Sequence, residues 1–248
     1  MSLVVRMSDG VCELHVAAPP GNVVSRALCR EITDAVRTHA EDPGLQAFVF
    51  TAAGKHFSYG ASVPEHVAGE VESFLPAFHG VFDALLDAAV PTVAAVQGLC
   101  LGGACELALF ADFVLAEQSA RFAVPEIQLG VIPPVACVVF PWRFGGARSA
   151  ELILTGEKVA AADVGARVCE DGELAAFTET FLDTYIRPRS AAVLRLATRA
   201  ARAPLAEDLR RRLPELERTY LLELMAMKDP NEGVLAFLEK REPAWTNA

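Results

Sequence analysis

Residues 91–112 read PTVAAVQGLCLGGACELALFAD. An apolar, β-branched run (Thr92, Val93, Val96) opens the segment and has the character of a buried strand. Glycines interrupt it at 98, 102 and 103, after which the chain stays apolar, apart from Glu106, until Asp112. The expected order is strand, glycine turn, helix. Such a turn lets backbone approach another group closely and leaves free N–H groups at the helix start, where negative charge is favoured. Glu106 falls roughly one helical turn beyond those amides. An isolated buried carboxylate is costly, so it needs a partner, a shifted pKa or a chemical task. A task is the expectation here; a structural acid bonded to backbone is the plainer alternative.

On the N-terminal side, residues 3–8 and 11–17 alternate around Asp9-Gly10, a favoured hairpin turn. Ser25 is placed to start an amphipathic helix with Leu28, Ile32 and Val36 on one face. LQAFVFTA (45–52) reads as a central strand, and strand–helix–strand with a short return implies a right-handed parallel crossover. A loop of small residues (53–66) and a helix over 70–89 lead into the glycine segment. Beyond it come a strand at 113–116, the tripeptide Pro125-Glu126-Ile127, and an apolar stretch from Pro133 to Phe140. Strand character ends near residue 140; two or three helices are expected over 173–202 and 205–228, with a last one over 233–245. The division expected is a core of residues 1–190 and a helical region of residues 191–248.

Composition narrows the function class. At 248 residues with 52% hydrophobic content, the chain suits one large ordered α/β domain or one domain with a small appendage. A formal net charge of −10 argues against nucleic acid or an anionic membrane surface as partner. The N-terminus carries no basic segment followed by an apolar one, and no apolar run is long enough for a membrane span, so a cytoplasmic setting is expected. The six cysteines show no CxxC spacing and no histidine set that would hold zinc, so no metal is expected. The glycines do not follow GxGxxG, which removes a dinucleotide site.

Three signals remain: the Gly102-Gly103 turn with Glu106, the second carboxylate Glu126, and the loop Phe57-Ser58-Tyr59-Gly60-Ala61-Ser62 directly after a central strand. Loops leaving the carboxyl ends of neighbouring strands meet at one edge of an α/β sheet, where ligands bind. Two backbone amides there can form an oxyanion hole, and two carboxylates can manage one proton or one water. Ser62 and His66 lack the surroundings of a serine nucleophile and its base.

FSYGAS, QGLCLGGACELALFADFVLA and RFAVPEIQLGVIP, in this order, resemble the enoyl-CoA hydratase (crotonase) superfamily, and LILTGEKVAAADVGARV and AFLEKR extend the likeness over nearly the whole chain. The resemblance implies a spiral of ββα units followed by a helical trimerisation region, and hence a homotrimer or a dimer of trimers. It implies an acyl-CoA substrate and no cofactor apart from the coenzyme A that the substrate carries. By motif position the oxyanion donors are Ala61 and Gly103, and the catalytic acid/base pair is Glu106 and Glu126. Ser58, Gly60, Ser62, Gly102 and Lys240 fall where the family contacts substrate or CoA. Because both carboxylates are present, hydration or its reverse is the reaction implied; a decarboxylase, an isomerase and a non-catalytic acyl-CoA-binding member are the alternatives. Two departures stand out. Ser62 occupies the place of the family's usual aspartate, and Ile132-Pro133-Pro134-Val135-Ala136-Cys137 replaces a flexible glycine stretch. In both respects the chain looks like the cyclohexa-1,5-diene-1-carbonyl-CoA hydratases.

Overall fold

The computed structural model describes residues 2–248. Strands β1 (Leu3–Ser8) and β2 (Val11–Val16) form the expected antiparallel hairpin. Its turn residues Asp9 and Gly10 both have positive φ (47° and 76°), as a two-residue turn matched to strand twist requires. Helix α1 (Arg26–Ala40) starts at Ser25, whose side chain accepts from the Leu28 N–H, and buries Leu28, Ile32 and Val36. Strand β3 (Ala47–Ala52) then pairs parallel with β2, completing the crossover. Helix α2 (Val71–Ala88) follows a short 3₁₀ turn at Val63–His66.

The glycine segment folds as β4 (Thr92–Val96), β5 (Leu99–Leu101) and α3 (Gly102–Phe110). Next come β6 (Phe113–Glu117), β7 (Arg121–Ala123) and a 3₁₀ turn at Pro125–Leu129. The large sheet has the order β1-β2-β3-β4-β6-β9 and the small one β5-β7-β8. From β4 to β7 successive strands alternate between the two sheets, so that part of the chain winds as a spiral between two walls. The loop after β3 joins the small wall through isolated parallel bridges, Ser58 with Cys100 and Val24 with Ala61.

Helices α4 (Ala136–Phe144) and α5 (Gly146–Thr155) are followed by β8 (Val159–Ala160) and β9 (Arg167–Cys169), so strand structure runs past residue 140, contrary to expectation. These strands have only two and three residues, too few for an alternation to register. Helix α6 (Leu174–Tyr185) packs Phe181, Leu182 and Ile186 on the outer face of the large sheet against Val49, Val93 and Leu115. The break expected at 202–205 does not occur: α7 (Ala191–Thr219) passes through Pro204 and Pro214 and continues into a π-turn, Tyr220–Leu224. Burial of Leu209, Leu213 and Tyr220 in the same apolar cluster as the spiral's strands offsets the two backbone hydrogen bonds lost to proline. Helix α8 (Asp229–Glu239) begins and ends several residues earlier than the periodicity suggested, with Pro230 in its first turn.

Candidate active site

Helix α3 is buried along its whole length, so its direction is set by packing on every side. Glu106 is 2% exposed. Its Oε1 accepts a hydrogen bond from the Ala136 N–H at 2.7 Å. That amide belongs to the first turn of α4, where N–H groups have no intrahelical acceptor. The segment Pro133–Ala136, which departs from the family pattern, thus anchors the first carboxylate. Burial raises the Glu106 carboxyl from 4.5 to about 7, with the Ala136 and Val135 amides acting in the opposite direction.

Glu126 sits in the 3₁₀ turn after β7. Its Oε2 is buried and has no hydrogen-bond partner among the described residues. Burial first, and the neighbouring Glu106 charge second, push its carboxyl well above the usual range. Two carboxylates in one buried site cannot both ionise cheaply, so the pair keeps a proton above the pH at which an ordinary glutamate loses it.

The oxyanion candidates are brought together from two loops. A Cβ on Gly103 would lie 3.4 Å from the Ala61 Cβ and 3.0 Å from Phe78 Cζ. In the bridge to Val24, the Val24 N–H donates to the Gly60 carbonyl and the Ser62 N–H donates to the Val24 carbonyl. The N–H of Ala61 consequently faces away from that partner. Gly103 is the second residue of α3, so its N–H lacks an intrahelical acceptor too. Two residues with spare amides thus line the same pocket.

Glycine is required at two positions beside them. Gly60 has φ +100°, and a Cβ there would lie 2.7 Å from the Leu101 carbonyl oxygen. Gly102 has φ +52°, and its Cβ would lie 2.9 Å from Glu126 Oε1. Both let the loop, the helix start and the second carboxylate approach one another.

Ala61, Gly103, Glu106 and Glu126 line one pocket, closed by Phe78, Pro133 and Pro134. Its cavity volume is only about 10 Å³. That is near the room one water needs. His66 and Tyr220 also line it.

The remaining candidates divide. The Ser58 hydroxyl is committed within the protein: it donates to the Asn22 carbonyl at 2.7 Å and accepts from the Gly60 N–H at 3.0 Å, so it shapes the loop. Ser62 precedes the 3₁₀ turn without a side-chain capping bond. His66 Nδ1–H donates to the Ser62 carbonyl at 2.8 Å, so that nitrogen is not available to take a proton from the Ser62 hydroxyl. Lys240 is exposed at the end of α8 with φ 55° and does not line the carboxylate pocket. Tyr220 was not singled out by the sequence, because one tyrosine among leucines at helical spacing reads as core.

An α/β spiral in two sheets, with two buried carboxylates facing two spare amides, defines the class of protein. A model of the enoyl-CoA hydratase/isomerase family matches residues 6–248, and the chain belongs to that family. A cyclohexa-1,5-dienecarbonyl-CoA hydratase of Thauera aromatica is 38% identical over 96% of this chain and 94% of its own length. A probable enoyl-CoA hydratase of Mycobacterium bovis is 33% identical over 91% of this chain and 90% of its own. Among solved structures, an enoyl-CoA hydratase/isomerase from Pseudoalteromonas atlantica superposes with a TM-score of 0.89 at 26% identity, covering 99% of this chain and all of that one.

Proposed function

We propose that this protein adds water to an α,β-unsaturated acyl-CoA thioester, with Glu106 as base and Glu126 as acid. The observation that carries the reading is the pair of buried carboxyls, both raised above the ordinary range, in one pocket lined by Ala61 and Gly103. The carboxyl raised to about 7 is the one able to ionise near neutral pH, which suits Glu106 to take a proton from water. Glu126, raised by burial and by the Glu106 charge, suits delivery of a proton to the α-carbon once Glu106 is ionised. The oxygen of the attacked water bonds to the β-carbon, and the electron pair of the double bond shifts toward the thioester oxygen. The N–H groups of Ala61 and Gly103 would stabilise that enolate-like charge, at roughly 3–4 kcal/mol per donor. When the enolate collapses onto the Glu126 proton, the pair is left with its proton on Glu106, and exchange restores the starting state.

As substrate we propose a cyclic, conjugated dienoyl thioester. Support comes from the 38% identity to the hydratase named for that compound, against 33% to the probable enoyl-CoA hydratase. The stiff Pro133-Pro134 wall is consistent with a short, broad acyl pocket. The proposed chemistry uses no cofactor beyond the CoA of the substrate. Among the described residues no helix is long and apolar enough to cross a membrane. We place the enzyme in the cytoplasm, a setting that suits its six free cysteines.

The test is incubation of the purified protein with crotonyl-CoA and with cyclohexa-1,5-diene-1-carbonyl-CoA, following conjugated-thioester absorbance and product mass. Gain of one water on the cyclic diene with little on crotonyl-CoA is the expected result. The opposite preference would make this a short-chain enoyl-CoA hydratase. No water gained on either would sink the assignment.

A further inference from the structure

We infer that Tyr220 is a third catalytic group of this site, its hydroxyl holding, jointly with Glu126, the water on which the glutamates act. The inference rests on the hydratase reading above and adds a residue that neither the motifs nor the family match assigns.

Tyr220 is 1% exposed, and its phenol oxygen has no hydrogen-bond partner among the described residues. Phenylalanine would fill nearly the same space without stranding a buried hydroxyl, so packing alone does not account for tyrosine at this position. The side chain lines the pocket shared by Glu106 and Glu126, where Glu126 Oε2 is the second buried polar atom without a partner. Two such atoms in one small pocket can satisfy each other through a water, and the space available to a water centre matches a single molecule. Tyr220 and the two carboxyls give that water three polar neighbours, within the two to four a buried water typically has.

The backbone at this residue points the same way. Tyr220 opens the π-turn, and its carbonyl accepts from the Met225 N–H five residues on. A π-turn widens a helix locally and recurs at functional sites. Here it falls where α7 reaches the carboxylates. Burial and the two carboxylate charges raise the Tyr220 phenol above its usual range, which keeps it a neutral hydroxyl able both to donate and to accept.

The experiment compares wild type with Tyr220→Phe on whichever thioester the wild type hydrates, recording kcat, KM, the pH profile and Tm. The expected result is a fall in kcat of tenfold or more with KM within about twofold, and a Tm equal to or above wild type because a stranded hydroxyl has been removed. Unchanged kcat and an unchanged pH profile would overturn the inference. Should Tyr220→Phe fail to fold, a fluorinated tyrosine at position 220, nearly isosteric but a stronger hydrogen-bond donor, must change kcat while leaving KM and Tm as in wild type. An unchanged kcat counts equally against the proposal. The two failures are distinguishable: hydration that survives Tyr220→Phe undamaged removes the tyrosine alone, whereas a wild type that hydrates no thioester removes the hydratase reading as well.

Discussion

Glu106 shows how one buried carboxyl sets two opposing pH dependences. Its folded-state value of about 7 lies above the 4.5 of an ordinary glutamate, so between those values the folded chain binds the proton more tightly than the unfolded chain. The stability linked to this proton is complete below about 4.5 and is lost as pH rises through about 7. The size of the loss is on the order of 3 kcal/mol. Glu126, also raised, adds to the same trend. Activity runs the other way, because a base must be ionised: the acid limb of kcat/KM is expected near pH 7. Glu106→Gln therefore should lose at least about a hundredfold in kcat. It should also show a smaller drop in urea midpoint between pH 5 and pH 8 than wild type, the remainder coming from the buried Glu126 carboxyl. A midpoint falling equally in both proteins would show that another group carries the pH dependence. Gly102 makes a complementary case. Alanine there must adopt φ near +52° and place a methyl 2.9 Å from Glu126 Oε1. The expected cost is about 1–2 kcal/mol of stability, with a fall in kcat beyond tenfold because the carboxylate is displaced. Measuring both in one variant separates backbone strain from the chemical effect.

At the scale of elements, what holds α7 in place matters most, since α7 delivers Tyr220. Arg202, 6% exposed, donates from Nε to Asp112 Oδ1 at 2.8 Å and from Nη2 to Asp112 Oδ2 at 2.5 Å and Thr92 Oγ1 at 2.7 Å. Asp112 in turn accepts from the Thr92 N–H at 2.7 Å. One guanidinium therefore ties α7 to the start of β4 and the start of β6. Arg202→Met fills similar space but leaves Asp112 without its counter-charge, and a loss of roughly 3–5 kcal/mol is expected, read as a shift in the denaturant midpoint. Restoring most of the stability by adding Asp112→Asn would show that the uncompensated charge, not lost packing, is the cause. None of this pairing is legible in the sequence, where Arg202 is one arginine among many. What was legible depended on local backbone chemistry: the Asp9-Gly10 hairpin, the Ser25 cap, the 91–112 strand–turn–helix and the loop carrying Ala61 all announce themselves by residue type and spacing. What escaped depended on tertiary packing. The gap expected between residues 202 and 205 falls at Pro204, yet burial on one side keeps the helix running. Tyr220 and the anchoring amide of Ala136 matter only through what the fold places opposite them.

For the whole molecule, the question is what covers the outer faces of the C-terminal helices. Leu222 is 68% exposed and Phe237 55%, and Val193, Leu196, Leu235 and Leu238 are exposed as well. Apolar side chains of this size left open on neighbouring helices favour self-association. A homotrimer, or a dimer of trimers, is the assembly we propose on the basis of the family resemblance. Light scattering on the purified protein should give about three or six times the 26.5 kDa of one chain. A one-chain mass at micromolar concentration would rule the assembly out. Charges placed on the α8 face, as in Phe237→Glu with Leu238→Glu, should lower the mass toward a single chain, because burying unpaired carboxylates opposes association. The effect on catalysis is expected to be smaller than the effect on mass. Both carboxylates, both amides and Tyr220 come from the same chain. The contact of α8 with the site is also internal, since Gly233 lies so close to the Leu129 carbonyl, at the end of the Glu126 turn, that a Cβ there would come within 2.2 Å of it. Dissociation should therefore reduce thermal stability while leaving kcat within a few fold. A dissociated variant that folds normally yet loses all hydration would show instead that a neighbouring subunit completes the site.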